Sequence, residues 1–438
     1  MHWDDTMEKP MINLVIAGHV DHGKSTLIGR LFEELDLVSK SEKDKAERDA
    51  KDLGKETFRY AFFMDTSLEE RKRGLTIELG FKPFETETRR FNIIDAPGHS
   101  DFVKNMITGA AEADAGVLVV DAQDTLDKIM PQTKEHAILM LTLGVNQLIV
   151  VVNKMDLVTY RKDAFEEVQR KIQEFLSSLG FAKMEKMLYI PVSAFYGENI
   201  ATKSEKMEWY TGLTFLEALD TLEEPLRLVD MPFRMPVLRT FRSRGVGKVI
   251  VAGKVESGQV EDGDTIEVVP YGGSGKVLSI EWQHKRFKKA EPGFDVGLAL
   301  SGAVNKREIK KGYMVCKPEE LSEVAEKFKA RIMAWNRYIG EGYCPIIHCH
   351  QAVVPVKIVK VESTFDITTG EVLSEDTKGV PPGQGGIVWI QPLKPLVIEK
   401  ASEFPRLSRF ALRDGVTTVA AGMCTDIVPK KEEKRRSL

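Results

Sequence analysis

The 438-residue chain predicts an α/β domain with a doubly wound, mostly parallel sheet over residues 1–226, followed by two small β-barrel domains over 232–320 and 326–430. Three observations predict this. Apolar runs of the kind buried in parallel sheets (Ile12–Ala17, Val117–Val120, Leu148–Val152, Met187–Val192) alternate with helical stretches up to about residue 225. Helical runs vanish after Pro225, where short β-rich segments alternate with Gly-rich turns. The first apolar run leads directly into a glycine-rich loop and then a helical stretch, the context in which α/β folds hold phosphate.

That loop is Gly18-His19-Val20-Asp21-His22-Gly23-Lys24-Ser25-Thr26. Gly18 and Gly23 let the backbone turn and come close to a phosphate. The loop N–H groups and the following helix N-terminus face its charge. Lys24 is placed to neutralise the terminal phosphates and Ser25 to ligate Mg²⁺. Between residues 33 and 75 lies a long charged segment, helical in composition from Lys43 to Lys55, ending in polar sequence around Thr76. Thr76 is the candidate for a second hydroxyl on Mg²⁺, carried by a loop that senses the last phosphate.

Phe91–Ile94 reads as a strand running into Asp95-Ala96-Pro97-Gly98-His99. Asp95 reaches the metal through water, and Gly98 offers its N–H to the terminal phosphate. His99 orients the attacking water, so that with Lys24 and Asp21 it makes up the catalytic set. Leu148–Val152 ends in Asn153-Lys154-Met155-Asp156. The Asp156 carboxylate can accept two hydrogen bonds from guanine, at N1–H and the exocyclic amine. Adenine carries an acceptor at N1 and leaves that carboxylate unpaired, so GTP is favoured over ATP. Lys154 packs over the base and Asn153 ties loops together. Ser193-Ala194-Phe195, after the strand Met187–Val192, is placed for backbone contact with the guanine oxygen. Residues 161–180 read as an amphipathic helix ending at Gly180.

In the second half, strands are expected near Val249–Val251, Thr265–Val269, Val277–Trp282 and Val296–Leu300. Further strands are expected near Lys329–Trp335, Ile346–His350, Val354–Val361, Gly386–Gln391 and Leu396–Glu399, with a hairpin from Phe365 to Pro382. Cys344, His348, Cys349 and His350 suggest zinc by spacing, but in a strand His348 and His350 share one face while Cys349 points to the other, and a second ligand pair is missing. A packed strand is the favoured reading.

The net charge of −4 is unevenly distributed. Residues 1–231 carry 29 Lys+Arg against 41 Asp+Glu, a net −12, and residues 232–438 carry 33 against 25, a net +8. A basic second half suits a polyanionic partner. No apolar run reaches membrane-spanning length and the start of the chain is unlike a signal peptide, so no membrane partner is expected. Four scattered cysteines suit a reducing cytoplasm.

In this order the motifs resemble the translational GTPases of the elongation factor 1-alpha/EF-Tu family, nearest its archaeal and eukaryotic branch. The resemblance covers nearly the whole chain. It is carried by the phosphate loop Gly18–Thr26, by Asp95-Ala-Pro-Gly-His99 through Ala110, and by Asn153–Asp156 and Ser193–Phe195. In the last domain it rests on Gly342-Tyr343-Cys344-Pro345, Cys349-His350 and Arg409-Phe410-Ala411-Leu412-Arg413-Asp414. Arg244–Gly253 is one residue longer than the family pattern.

The resemblance implies a P-loop GTPase that delivers aminoacyl-tRNA to the ribosomal A site and hydrolyses GTP to GDP on ribosome engagement. It implies Mg²⁺, a nucleotide exchange factor and a monomeric state. It also implies tRNA contacts at Glu281, His284, Arg409 and Arg413. The alternative is a release or ribosome-rescue GTPase, which escorts a protein instead of a tRNA. A regulatory GTPase subunit of a sulfate-activating enzyme shares the three-domain plan, but the 95–109 match and the last domain speak against it.

Overall fold

The computed structural model describes residues 9–54, 59–63, 80–95, 106–107, 109–110, 113–178, 187–242, 249–282, 285–301, 305–367 and 369–430. The chain divides into two compact units. One is made of Lys9–Leu141 and Val145–Pro225, and the other holds the chain from Leu226 onward.

The first unit is a six-stranded sheet. Its strands are β1 (Met11–Gly18), β2 (Gly80–Glu85), β3 (Arg90–Asp95), β4 (Ala115–Asp121), β5 (Leu148–Asn153) and β6 (Leu188–Pro191), in the order β2-β3-β1-β4-β5-β6. All pairs are parallel except β2 with β3. Every residue of β1, β4 and β5 is buried. Helices on both faces of a parallel sheet make apolar residues uniform rather than alternating, which is why these runs were legible. The helices are α1 (Lys24–Glu34), α2 (Lys40–Asp52), α3 (Ala122–Asp127), α4 (Pro131–Leu143), α5 (Lys162–Ser178) and α6 (Phe215–Asp220). Charged α2 starts with a reciprocal cap: Ser39 Oγ accepts from Glu42 N, and the Glu42 carboxylate accepts from Ser39 N. Its only buried side chains, Ala46 and Ala50, pack on Phe62. The chain reverses its direction of winding at β1, which lies between β3 and β4. Ligands of such sheets bind at this switch point, beyond the carboxyl ends of the strands.

The second unit contains two β-rich bodies. In the first, antiparallel neighbours run Met235–Pro236, Met314–Cys316, Thr265–Val269, Gly273–Trp282, Asp295–Leu300, Val249–Lys254, Arg239–Arg242. The two end strands are consecutive in the chain, separated by Val237 and Leu238 alone, so the sheet curls round on itself. The register from Val249↔Leu300 to Lys254↔Asp295 is continuous. The residue that lengthens Arg244–Gly253 therefore leaves this ladder intact; residues 243–248 lie outside the described residues.

The second body closes fully. Its neighbours run Ile346–Cys349, Arg409–Asp414, Thr417–Pro429, Ala325–Ala334, Gly385–Pro392, Ala352–Phe365, and the last pairs back to the first. The expected hairpin is present, with Phe365 paired to Val372.

Two expectations need correction. Leu396–Glu399 forms no ladder; Val397 makes a single bridge to Val324. Leu396, Val397 and Ile398 are nonetheless buried, in packing rather than pairing. His350 does not continue its strand, because its φ is +41°. It and His348 therefore do not share a strand face. His350 Nε2 lies 2.9 Å from the Val397 carbonyl, and Cys349 Sγ donates to the Leu407 carbonyl.

The two β-rich bodies share a buried seam. Val269, Met314 and Cys316 from one pack with Val397, Phe404 and Leu407 from the other. At its edge Arg234 Nε donates to Glu399 Oε1 over 2.7 Å, with Ser322 Oγ donating to the same oxygen. Arg234 and Glu399 are only 5% and 7% exposed. Gly312, at φ +86°, sits so close to Ala352 that a Cβ there would be 2.4 Å from the Ala352 Cα.

Candidate functional site: a nucleotide cradle at the switch point

β1 delivers Gly18 to the carboxyl edge of the sheet with φ +146°. A Cβ at Gly18 would be 2.2 Å from the Val119 carbonyl oxygen of β4, so the position demands glycine twice over. Asp21 takes φ +61° and Gly23 φ +87°, and α1 starts at Lys24 with its free N–H groups around the loop. The loop wraps Lys24, whose Nζ donates to the His19 carbonyl at 2.8 Å. Burial lowers the Lys24 ammonium to about 8, and the carboxylates of Asp95 and Asp21 oppose that shift. An anionic ligand would supply the counter-charge this buried lysine calls for. Ser25 Oγ donates to Asp95 Oδ2 at 3.0 Å, which brings the loop hydroxyl to the end of β3.

Asn153, at the end of β5, joins the two halves of the site. Its Nδ2 donates to the His22 carbonyl at 2.8 Å, and its Oδ1 accepts from Ala194 N at 2.9 Å. One side chain thus holds the phosphate loop and the 193–195 loop in fixed relation. Asp156 Oδ1 accepts from Ser193 Oγ at 2.5 Å. Lys154, in left-handed backbone at φ +59°, pairs with Asp121 Oδ2 at 2.8 Å. Asp121 also caps α3 by accepting from Gln123 N and Asp124 N.

Two features were not anticipated from sequence. Asp121 ends β4 and starts α3, a position that suits an N-cap residue, but its ion pair with Lys154 joins distant parts of the chain. His136, on α4, accepts the Gly18 N–H on Nδ1 at 3.1 Å; a lone histidine in a helix gives no sign of this. Burial, and then the Lys24 charge, lower His136 to about 3, and burial lowers His22 to about 4. Both rings are therefore neutral in the folded chain. As pH falls below about 6.5 the unfolded chain takes up protons that the folded chain refuses, so the stability these rings contribute is full above 6.5 and is lost toward 4 and below. The first unit is expected to melt at progressively lower temperature between pH 6.5 and 4. His136→Gln, whose amide oxygen still accepts from Gly18, should flatten that dependence. Melting curves with equal slopes in both proteins would remove His136 from the account.

Thr76, Gly98, His99 and His284 lie outside the described residues. Glu281 is exposed and faces Arg286 across a strand pair, with Nε and Oε1 3.6 Å apart. Arg409 is mostly buried, and burial followed by the Arg406 charge lowers its pKa. Arg413 is 4% exposed, and its Nη2 donates to the Val416 carbonyl. The structure brings residues 18–26, Asp95, Asn153, Asp156 and 193–195 to one edge of one sheet; Glu281, Arg409 and Arg413 lie in the other unit. Among the described residues no helix is long and apolar enough to cross a membrane, and no three His, Cys, Asp or Glu side chains cluster to hold a metal.

Residues 9–225 match the family model "Elongation factor Tu GTP binding domain", residues 248–316 "Elongation factor Tu domain 2", and residues 327–425 "GTP-eEF1A C-terminal domain-like". The elongation factor 1-alpha of Hyperthermus butylicus is 44% identical over 439 residues, covering 98% of this chain and 99% of its own. That of Methanopyrus kandleri is 45% identical over 438 residues, covering 97% and 99%. Two solved structures share the fold. The S. cerevisiae Ski7 GTPase-like domain bound to GDP and inorganic phosphate has a TM-score of 0.77 at 18% identity, covering 95% of this chain and 98% of its own. The translation elongation factor SelB from Methanococcus maripaludis, with a GTP analogue, has a TM-score of 0.68 at 22% identity, covering 97% and 81%.

Proposed function

The chain belongs to the elongation factor 1-alpha family and is a GTP-hydrolysing translation elongation factor, and we propose that in its GTP-bound state it carries aminoacyl-tRNA to the ribosomal A site. The observation that carries the nucleotide part of this reading is Asn153. By bonding to His22 and Ala194 together, it sets the distance between a phosphate cradle and a base-reading loop. Asp156 then reads guanine, and Lys24 faces the β- and γ-phosphates, releasing the His19 carbonyl.

The Ser25 hydroxyl and the Asp95 carboxylate form a small, all-oxygen donor set that fits Mg²⁺, a hard cation that keeps several waters and binds substrate phosphate. Ser25 would hold it directly, Asp95 through water, and Thr76 would complete the set. When bound, the ion neutralises charge developing on the phosphates. His99 orients the attacking water once the ribosome is engaged, and Gly98 reports the terminal phosphate through its N–H.

The tRNA part rests on family membership and on the net +8 of residues 232–438. Glu281 and His284 are assigned to the aminoacyl end. Arg409 and Arg413 are assigned to the last domain's tRNA face, Arg413 by shaping the strand end at Val416. A nucleotide exchange factor, a monomeric state and a cytoplasmic location go with this function.

The test is protection of aminoacyl-tRNA from spontaneous deacylation by protein loaded with a GTP analogue or with GDP. Protection with the analogue alone is the expected result. Absence of protection in both states, with GTP binding intact, would reject tRNA carriage and favour escort of a protein release or rescue factor.

A further inference from the structure

Tyr60 has no exposed surface, yet it belongs to a short segment, 59–63, on the way from the phosphate loop to Thr76. Its hydroxyl accepts from two guanidinium groups, Arg30 Nη1 at 2.6 Å and Arg59 Nη2. Both cations also lie over its ring, Arg59 at 4.5 Å and Arg30 at 5.3 Å from the centroid. The ring meets Phe195 edge-to-face at 6.2 Å, and Phe63 likewise.

Two glycines make room for this junction. A Cβ at Gly29 of α1 would be 2.0 Å from the Tyr60 carbonyl oxygen. One at Gly197, at φ +81°, would be 2.4 Å from Arg30 Nη2. Arg30 Nε donates to Glu34 Oε1, and the other oxygen of Glu34 accepts from Ala201 N at 3.1 Å. The helix that leaves the phosphate loop, the loop carrying Ser193-Ala194-Phe195 and the 59–63 segment therefore meet at one buried phenol.

We propose that Tyr60 is a positioning residue for the guanine site: it props the Phe195 ring beside the base and ties the segment ahead of Thr76 to that ring. Holding the base and holding that segment become one event. This rests on the guanine-nucleotide reading of the same loops. The physical warrant is a chain of direct contacts whose two ends both bear on nucleotide. Phe195 adjoins Ala194, fixed by Asn153, and 59–63 is fixed to α1, which starts at Lys24.

The experiment is a double-mutant cycle on dissociation of a fluorescent GDP, using Tyr60→Leu, Phe195→Leu and the double variant. Tyr60→Leu is expected to speed dissociation by about threefold to tenfold, the factor that an edge-to-face aromatic pair is worth. The double variant should be no faster than the faster single one, because the two changes remove the same contact. Tyr60→Phe, which keeps the ring, should restore most of the slow dissociation. Unchanged dissociation in Tyr60→Leu, or additive effects in the double variant, would overturn the proposal. Wild-type protein that retained no guanine nucleotide would instead overturn the reading beneath it.

Discussion

Replacing Asp156 by asparagine is expected to weaken GTP binding by on the order of 10⁴-fold, because a site built to accept two guanine hydrogen bonds then presents a donor to a donor. Ser193 sharpens the expectation. Its hydroxyl donates to Asp156 Oδ1, so after substitution the amide oxygen stays with Ser193 and the amide NH₂ turns toward the base. Xanthine carries a 2-oxo group where guanine has its amine, and that group can accept from the amide. The variant should therefore bind xanthosine triphosphate in preference to GTP. Equilibrium binding of both nucleotides by wild type and variant decides it. A variant that still selected GTP would place the base elsewhere.

The second large effect is on stability. Glu399→Ala leaves the Arg234 guanidinium buried with its main carboxylate partner gone, while Phe233 and Glu320 still offer it carbonyl oxygens. Stranding a buried charge in this way costs about 3–5 kcal/mol. Chemical denaturation should show the loss in the transition of the two β-rich bodies. Replacing both partners by apolar residues of similar volume, Arg234→Met with Glu399→Leu, should recover most of it, since the pair's own desolvation cost disappears as well. A single Glu399→Ala variant as stable as wild type would mean that water reaches the seam and solvates Arg234.

The candidate nucleotide site stood out in the sequence because the ligand expected of it dictates residue types at short spacing. A phosphate needs glycines, a lysine and a hydroxyl within one loop, and Gly18, Gly23, Lys24 and Ser25 supply them in eight residues of chain. Fully buried parallel strands likewise announce themselves as unbroken apolar runs. What the sequence concealed depends on folding back. The Asp121–Lys154 pair and the Gly18–His136 bond join residues whose spacing carries no period.

Leu396–Glu399 misled for a related reason. Its apolar residues are buried by the seam between two bodies, and burial alone does not separate a strand from a packed segment. The tempting Cys344–His350 spacing dissolved on backbone geometry, because the left-handed turn at His350 sends its ring to the Val397 carbonyl.

Gly312 has a bearing on how such proteins can be recombined. Its missing side chain lets the first β-rich body seat directly against the Ala352 backbone of the second. The two bodies are thus not interchangeable parts. A chimera that grafted one of them from a relative with any larger residue at this position would have to pry the seam open by more than an ångström. Gly312, Arg234, Ser322 and Glu399 would have to travel between chains as a set, and the boundary at which such a graft can succeed lies before Leu226, not between the two bodies.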